Sequence, residues 1–156
     1  VAGAVRDKRM IGLVNVVYEF LAALCTENTK VQNELVVLLA CSLSGDGSVA
    51  EGNGAGQVDL IRTHVQLENL CPEQLMRALL SQNFKVSSAL GRNWGRFILA
   101  TLNPSHLTSH KGAALLQVLS SMVICNKRPI KAQQDLVRTL IQGNPQQQAL
   151  LVPEDS

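Results

Sequence analysis

The side chains that could do chemistry are few, and their spacing is poor for it. His106 and His110 stand four apart and could share a helix face, as zinc ligands do, but no third ligand of suitable spacing lies nearby. The four cysteines, Cys25, Cys41, Cys71 and Cys125, include no C-x-x-C pair. All lie in or beside apolar runs, which reads as free thiols in a reducing compartment. Gly52, Gly54 and Gly56 are not followed by the Lys-Ser/Thr that a phosphate loop needs, and no strand precedes them. Counting from Asp46 as the first position of a calcium loop, the twelfth is Gln57, where a bidentate Glu is required. His64 reads as a surface residue. The expectation is therefore no catalytic residue, no metal, no cofactor and no small-molecule substrate.

What remains is recognition chemistry. Trp94 and Arg96 are of the two residue types most over-represented at binding hot spots, and Asn93 and Arg92 adjoin them. These four are the expected partner-binding residues. Arg92, Arg96, Lys111, Lys127, Arg128 and Lys131 make the C-terminal half somewhat basic. A net charge of +2 without a clustered basic face speaks against nucleic acid, and the basic residues read as solvated helix ends and elbows.

The elements that must carry these residues are helices. The chain has 156 residues, 46% of them apolar and 17% charged, enough for one domain with a real core and too apolar for disorder. Leu, Val and Ala dominate while aromatics are 3%, which favours packed helices over sheet. The longest apolar runs are broken by Asn15, Glu19, Asn33 and Glu34, so no membrane span is expected. The chain starts with Val and shows no cleavable signal pattern, which reads as a segment of a larger cytoplasmic or nuclear protein.

From about Met10, the residues Leu13, Val17, Phe20, Leu21 and Leu24 recur at helical spacing, and this stripe is expected to face the core. A polar elbow at 26–30 leads to a second helix with Val31, Leu35, Leu38 and Leu39 inward. Residues 42–56 hold five glycines and read as a flexible loop, a Gly-rich break near 43–56. Helix resumes over 57–70, and Pro72 opens the next at the first-turn position that tolerates proline. An elbow at 81–83 follows. The stretch 86–102 is helical, but Gly91 and Gly95 suggest a split into two short helices. One turn is expected at 105–110, then helices over 111–125 and 129–141, and a short one at 146–152.

The first hairpin recurs. Leu21, Leu24 and Asn28 match Leu119, Met122 and Asn126 at an offset of 98; Gln32 to Val36 match Gln133 to Val137 at an offset of 101. Both units read as an apolar helix ending near a Cys, an elbow with Asn and Lys, then Gln-x-acid-Leu-Val. This pattern resembles the helical hairpin of armadillo and HEAT-type repeats, whose hairpins stack because none can bury its apolar faces alone. The resemblance covers about sixty residues, and a period near 100 requires a degenerate unit between. It implies an all-α stack of helical hairpins and a protein–protein interaction scaffold without catalytic activity, whose partner is another protein or peptide helix. Asn93-Trp94-Gly95-Arg96 also resembles the BH1 core of Bcl-2 proteins. There it opens a long central helix, and its Arg pairs with the Asp of a captured BH3 helix. A helix beginning at Trp94 would favour that alternative, a groove for an amphipathic helix; termination at Asn103 would count against it.

Overall fold

The computed structural model describes residues 7–40, 61–102, 109–143 and 145, and these are helical apart from one two-stranded ladder. They fall into two compact units, divided between Leu79 and Leu80. The Gly-rich stretch, the turn expected at 105–110 up to residue 108 and the helix expected at 146–152 lie outside the described residues.

The first unit holds α1 (Lys8–Cys25), α2 (Thr29–Ala40), a helical stretch at residues 61–65 (α3) and most of α4 (Pro72–Leu80). The Asp7 carboxylate accepts from the Arg9 N–H at 2.9 Å and starts α1. Ile61, Val65, Leu70, Leu75, Met76 and Leu79 form the core. The stretch read as helix to Leu70 leaves it after Val65: 66–69 turn through bonds from Leu67 N–H to His64 C=O and from Leu70 N–H to Leu67 C=O. Pro72 is the first helical residue of α4, as its missing N–H allows. Asn15 of α1 ties this corner down, donating to Asn69 C=O at 2.9 Å and accepting from Cys71 N–H at 3.0 Å.

One expectation is overturned in α1. Leu13, Val17, Phe20 and Leu24 are exposed, Phe20 by 61%, and Leu21 is half-buried. The buried side chains are Tyr18 and Cys25, about 120° around the helix from that stripe. The helix is apolar on two faces, and periodicity cannot say which of them turns inward.

The second unit holds α5 (Phe84–Thr101), α6 (His110–Val123), the strands β1 (Ile124–Cys125) and β2 (Arg128–Pro129), and α7 (Lys131–Gln142). The strands pair antiparallel, Ile124 opposite Pro129 and Cys125 opposite Arg128. Their two-residue turn puts Asn126 and Lys127 in the left-handed region, φ 51° and 61°, the twist that suits a tight hairpin. α5 is one helix rather than two. Its glycines are contact points: a Cβ on Gly91 would run into the Gln133 carboxamide of α7, and one on Gly95 would lie 3.2 Å from Met122 Cε of α6. Leu90, Trp94, Ile98, Leu115, Val118 and Met122 fill the core between them.

Two helix-to-helix turns are built alike, Cys25 to Gln32 and, 55 residues later, Leu80 to Ser87. The third residue of each is left-handed, Glu27 at φ 54° and Gln82 at 59°. The fourth is an asparagine, Asn28 or Asn83, whose Oδ1 accepts from the N–H three residues on at 3.2 Å in both. The eighth is buried and reaches back seven residues, Gln32 Nε2 to Cys25 C=O at 2.9 Å and Ser87 Oγ to Leu80 C=O at 3.3 Å. Each turn thus satisfies groups that helix ends leave unpaired.

Candidate functional site

α5 positions all four residues singled out as partner-binding. Asn83 caps its start, and Val86, Ser87, Leu90, Gly91, Ile98 and Leu99 turn its inner face to the core. That register decides which of the four can be touched. Trp94 shares the inner face and exposes 4% of its surface, so it is a core residue. Asn93 is half-buried, while Arg92 and Arg96 are exposed. Exposed Lys85 falls within about 40° of both on a 3.6-residue helix, so α5 carries an outer row of three cations. Asn93 to Arg96 lie in the second half of a helix that begins at Phe84 and stops at Thr101, where Leu102 caps it. This is not the helix-opening position of the BH1 resemblance.

The row belongs to a wider imbalance. From Gln74 to Gln134 the chain has eight Lys or Arg and no Asp or Glu. Among the described residues of the second unit the single acid is Asp135, 3.7 Å from Arg138. Two open hollows flank the β1–β2 turn. One, of about 380 Å³, is lined by Ser81, Gln82, Ser121, Ile124, Asn126 and Lys127. The other, of about 680 Å³, includes Phe84, Cys125, Arg128, Pro129, Ile130 and Lys131. Asn126 lines both. Of the three large apolar side chains described as exposed in this unit, Phe84, Leu116 and Ile124, two line the hollows. Residue-by-residue reading missed this surface, and a running count of acids would have found it.

In the first unit a buried polar pair joins α1 to α3. Tyr18 Oη lies 2.7 Å from His64 Nδ1, the rings meeting edge to face at 5.9 Å. His64 is thus a core residue and not a surface one. Burial, and then the Glu73 carboxylate, push the Tyr18 hydroxyl up to about 12. Such a phenol stays protonated at neutral pH and holds the helices together. Burial also raises the Cys25 thiol, which lowers its nucleophilicity. Among the described residues no three His, Cys, Asp or Glu side chains could hold a metal ion together, and His110 is exposed at the first position of α6. His106 lies outside the described residues.

Comparison with protein-family models, with curated proteins and with solved structures finds no match to this chain.

Proposed function

We propose that this chain is a helical-repeat module of armadillo/HEAT type, a non-catalytic scaffold that binds another protein or a peptide helix. The observation that carries the reading is one stripe in two settings. Val17, Leu21 and Leu24 of α1 match Leu115, Leu119 and Met122 of α6 at the same offset of 98. The α6 stripe is buried, with Met122 fully covered against Gly95 of α5. On the α1 stripe Val17 and Leu24 are exposed and Leu21 is half-buried, and Met10, Leu13 and Phe20 extend the exposed part. A helix that is apolar on both faces is an interior helix, so α1 is suited to taking a second helix on its outer side. The recurring turn supports the same reading, since repeat hairpins are copies of one local design. No helix among the described residues is long and apolar enough to cross a membrane. The free thiols of Cys25, Cys71 and Cys125 favour a reducing setting, cytoplasmic or nuclear.

The test compares wild type with Phe20→Asp and with Arg92→Glu/Arg96→Glu in quantitative capture from cell lysate, with circular dichroism on each. Exposed positions away from special features change stability by only about 0.5 kcal/mol, so all three should stay folded. The reading predicts a set of proteins lost with Phe20→Asp at unchanged helix content. If Phe20→Asp unfolds the protein, Phe20 is core; if no variant changes the captured set, the scaffold reading fails.

A further inference from the structure

We propose that the basic groove around the β1–β2 turn of the second unit binds an acidic protein segment carrying apolar anchor residues. The inference rests on the scaffold reading and adds the chemistry of a second partner surface. Three observations converge. First, the groove is positive: Lys127 lines one hollow, Arg128 and Lys131 line the other, and no acid among the described residues lines either. The unit's one described acid, Asp135, is already beside Arg138. Second, the groove is apolar as well as basic. Phe84, 59% exposed, and Ile124 stand at its walls with Pro129 and Ile130, which a uniformly charged ligand would leave wet. Third, Lys131 and Ala132 at the start of α7 line the larger hollow, and this helix start has no side-chain cap and no acid in its first turn.

These features favour a peptide over nucleic acid. A single-strand site needs a series of aromatic faces for stacking along a continuous basic track. Here Phe84 is the one aromatic among the lining residues, and the cations share the lining with Ile124, Pro129 and Ile130. An acidic segment with interspersed Leu or Phe satisfies both halves: carboxylates meet the lysines and Arg128, while the apolar residues cover Phe84 and Ile124. Charge complementarity of this kind sets partner choice and speeds encounter.

The experiment uses the full chain and three fluorescein-labelled probes of equal length: a peptide alternating Glu with Leu and Phe, a poly-Glu peptide, and a single-stranded DNA. Binding is read by anisotropy. Cys125, which lines the larger hollow and is partly exposed, gives a site-specific readout through its alkylation rate, located by mass spectrometry. The mixed peptide should bind most tightly and slow alkylation of Cys125. Lys127→Glu/Lys131→Glu should weaken it about tenfold, from two exposed attractions turned to repulsions, and Phe84→Ala should weaken it without changing its salt dependence. Tighter binding of the DNA, indifference to the charge reversal, or an unchanged alkylation rate would overturn the proposal. Phe20→Asp should leave peptide binding intact. A captured set that does not depend on Phe20, with peptide binding intact, sinks the α1 contact alone; Phe20-dependent capture without peptide binding sinks the groove alone.

Discussion

Gly12, Gly91 and Gly95 sit inside helices, so replacement by alanine offers each the same gain, about 1 kcal/mol of helix propensity. Their surroundings differ, and so should the outcomes. A Cβ on Gly12 meets nothing within 4 Å, and Gly12→Ala should stabilise by about that full amount. At Gly95 the neighbours are the flexible ends of Met122 and Leu140, at 3.2 and 3.4 Å. They can give by a few tenths of an ångström, so Gly95→Ala should come out near neutral. At Gly91 the new methyl enters the Gln133 carboxamide, and Gln133 is 6% exposed, with little room to swing aside. Overpacking costs about 1–3 kcal/mol, which exceeds the propensity gain, so Gly91→Ala should destabilise by about 1 kcal/mol. The decisive arm is the double variant. With Gln133→Ala the obstruction is gone, and Gly91→Ala should then stabilise by about 1 kcal/mol, a coupling of about 2 kcal/mol between the two sites. Urea unfolding followed by Trp94 fluorescence reads this unit alone, because Trp94 is the only tryptophan; far-UV dichroism serves for Gly12. A Gly91→Ala variant as stabilised as Gly12→Ala, or additivity with Gln133→Ala, would show that α5 and α7 do not approach each other as described.

Two further outcomes concern buried polar side chains. Gln32 Nε2 donates to Cys25 C=O at 2.9 Å and to Ala78 C=O at 2.8 Å, whereas the buried Oε1 of Gln133 has no hydrogen-bond partner among the described residues. Gln32→Leu should therefore cost about 2–3 kcal/mol and Gln133→Leu less than 1, compared by urea midpoints at constant slope. Tyr18 makes stability fall in alkali. The folded state keeps its proton up to about 12 while the unfolded chain releases it near its ordinary value of 10.0, so the contribution is whole below pH 10 and lost as pH rises through 12. The loss should reach about 1–2 kcal/mol. Ultraviolet titration of Tyr18, the only tyrosine, checks the midpoint, and Tyr18→Phe should remove the dependence.

Much of the helical plan is legible in the residues. Pro72 opens α4, and of Leu115, Leu116, Leu119 and Met122, which share the helical register, all but the exposed Leu116 turn to the inner face of α6. α1 is illegible for the opposite reason: Tyr18 and Cys25 on one arc and Phe20 on the other both follow helical spacing, and only tertiary packing chooses between them. Gly91 and Gly95 read as weak points because local propensity counts their missing side chains as loss, while packing uses the gap to bring Gln133 and Met122 close. Trp94 misleads because bulk and a polar edge suit a core as well as an interface. The groove escaped because its members come from two places in the chain, residues 81–84 and 121–132, and no one of them is unusual alone.

The twin turns at 25–32 and 80–87 carry a consequence for how such a chain can arise and change. The features the two turns share run between residues at most seven apart: the left-handed third residue, the asparagine three residues before the N–H it accepts, the backward reach of Gln32 or Ser87; Gln32 also donates to Ala78 C=O. Only asparagine, lysine and valine, at Asn28, Lys30 and Val31 and again at Asn83, Lys85 and Val86, are the same in both. A chain reversal whose shared bonds are written in eight consecutive codons travels whole when its stretch of gene is duplicated. Such a chain can lengthen by copying, and the copies can drift apart in all but a few positions while still turning the same corner.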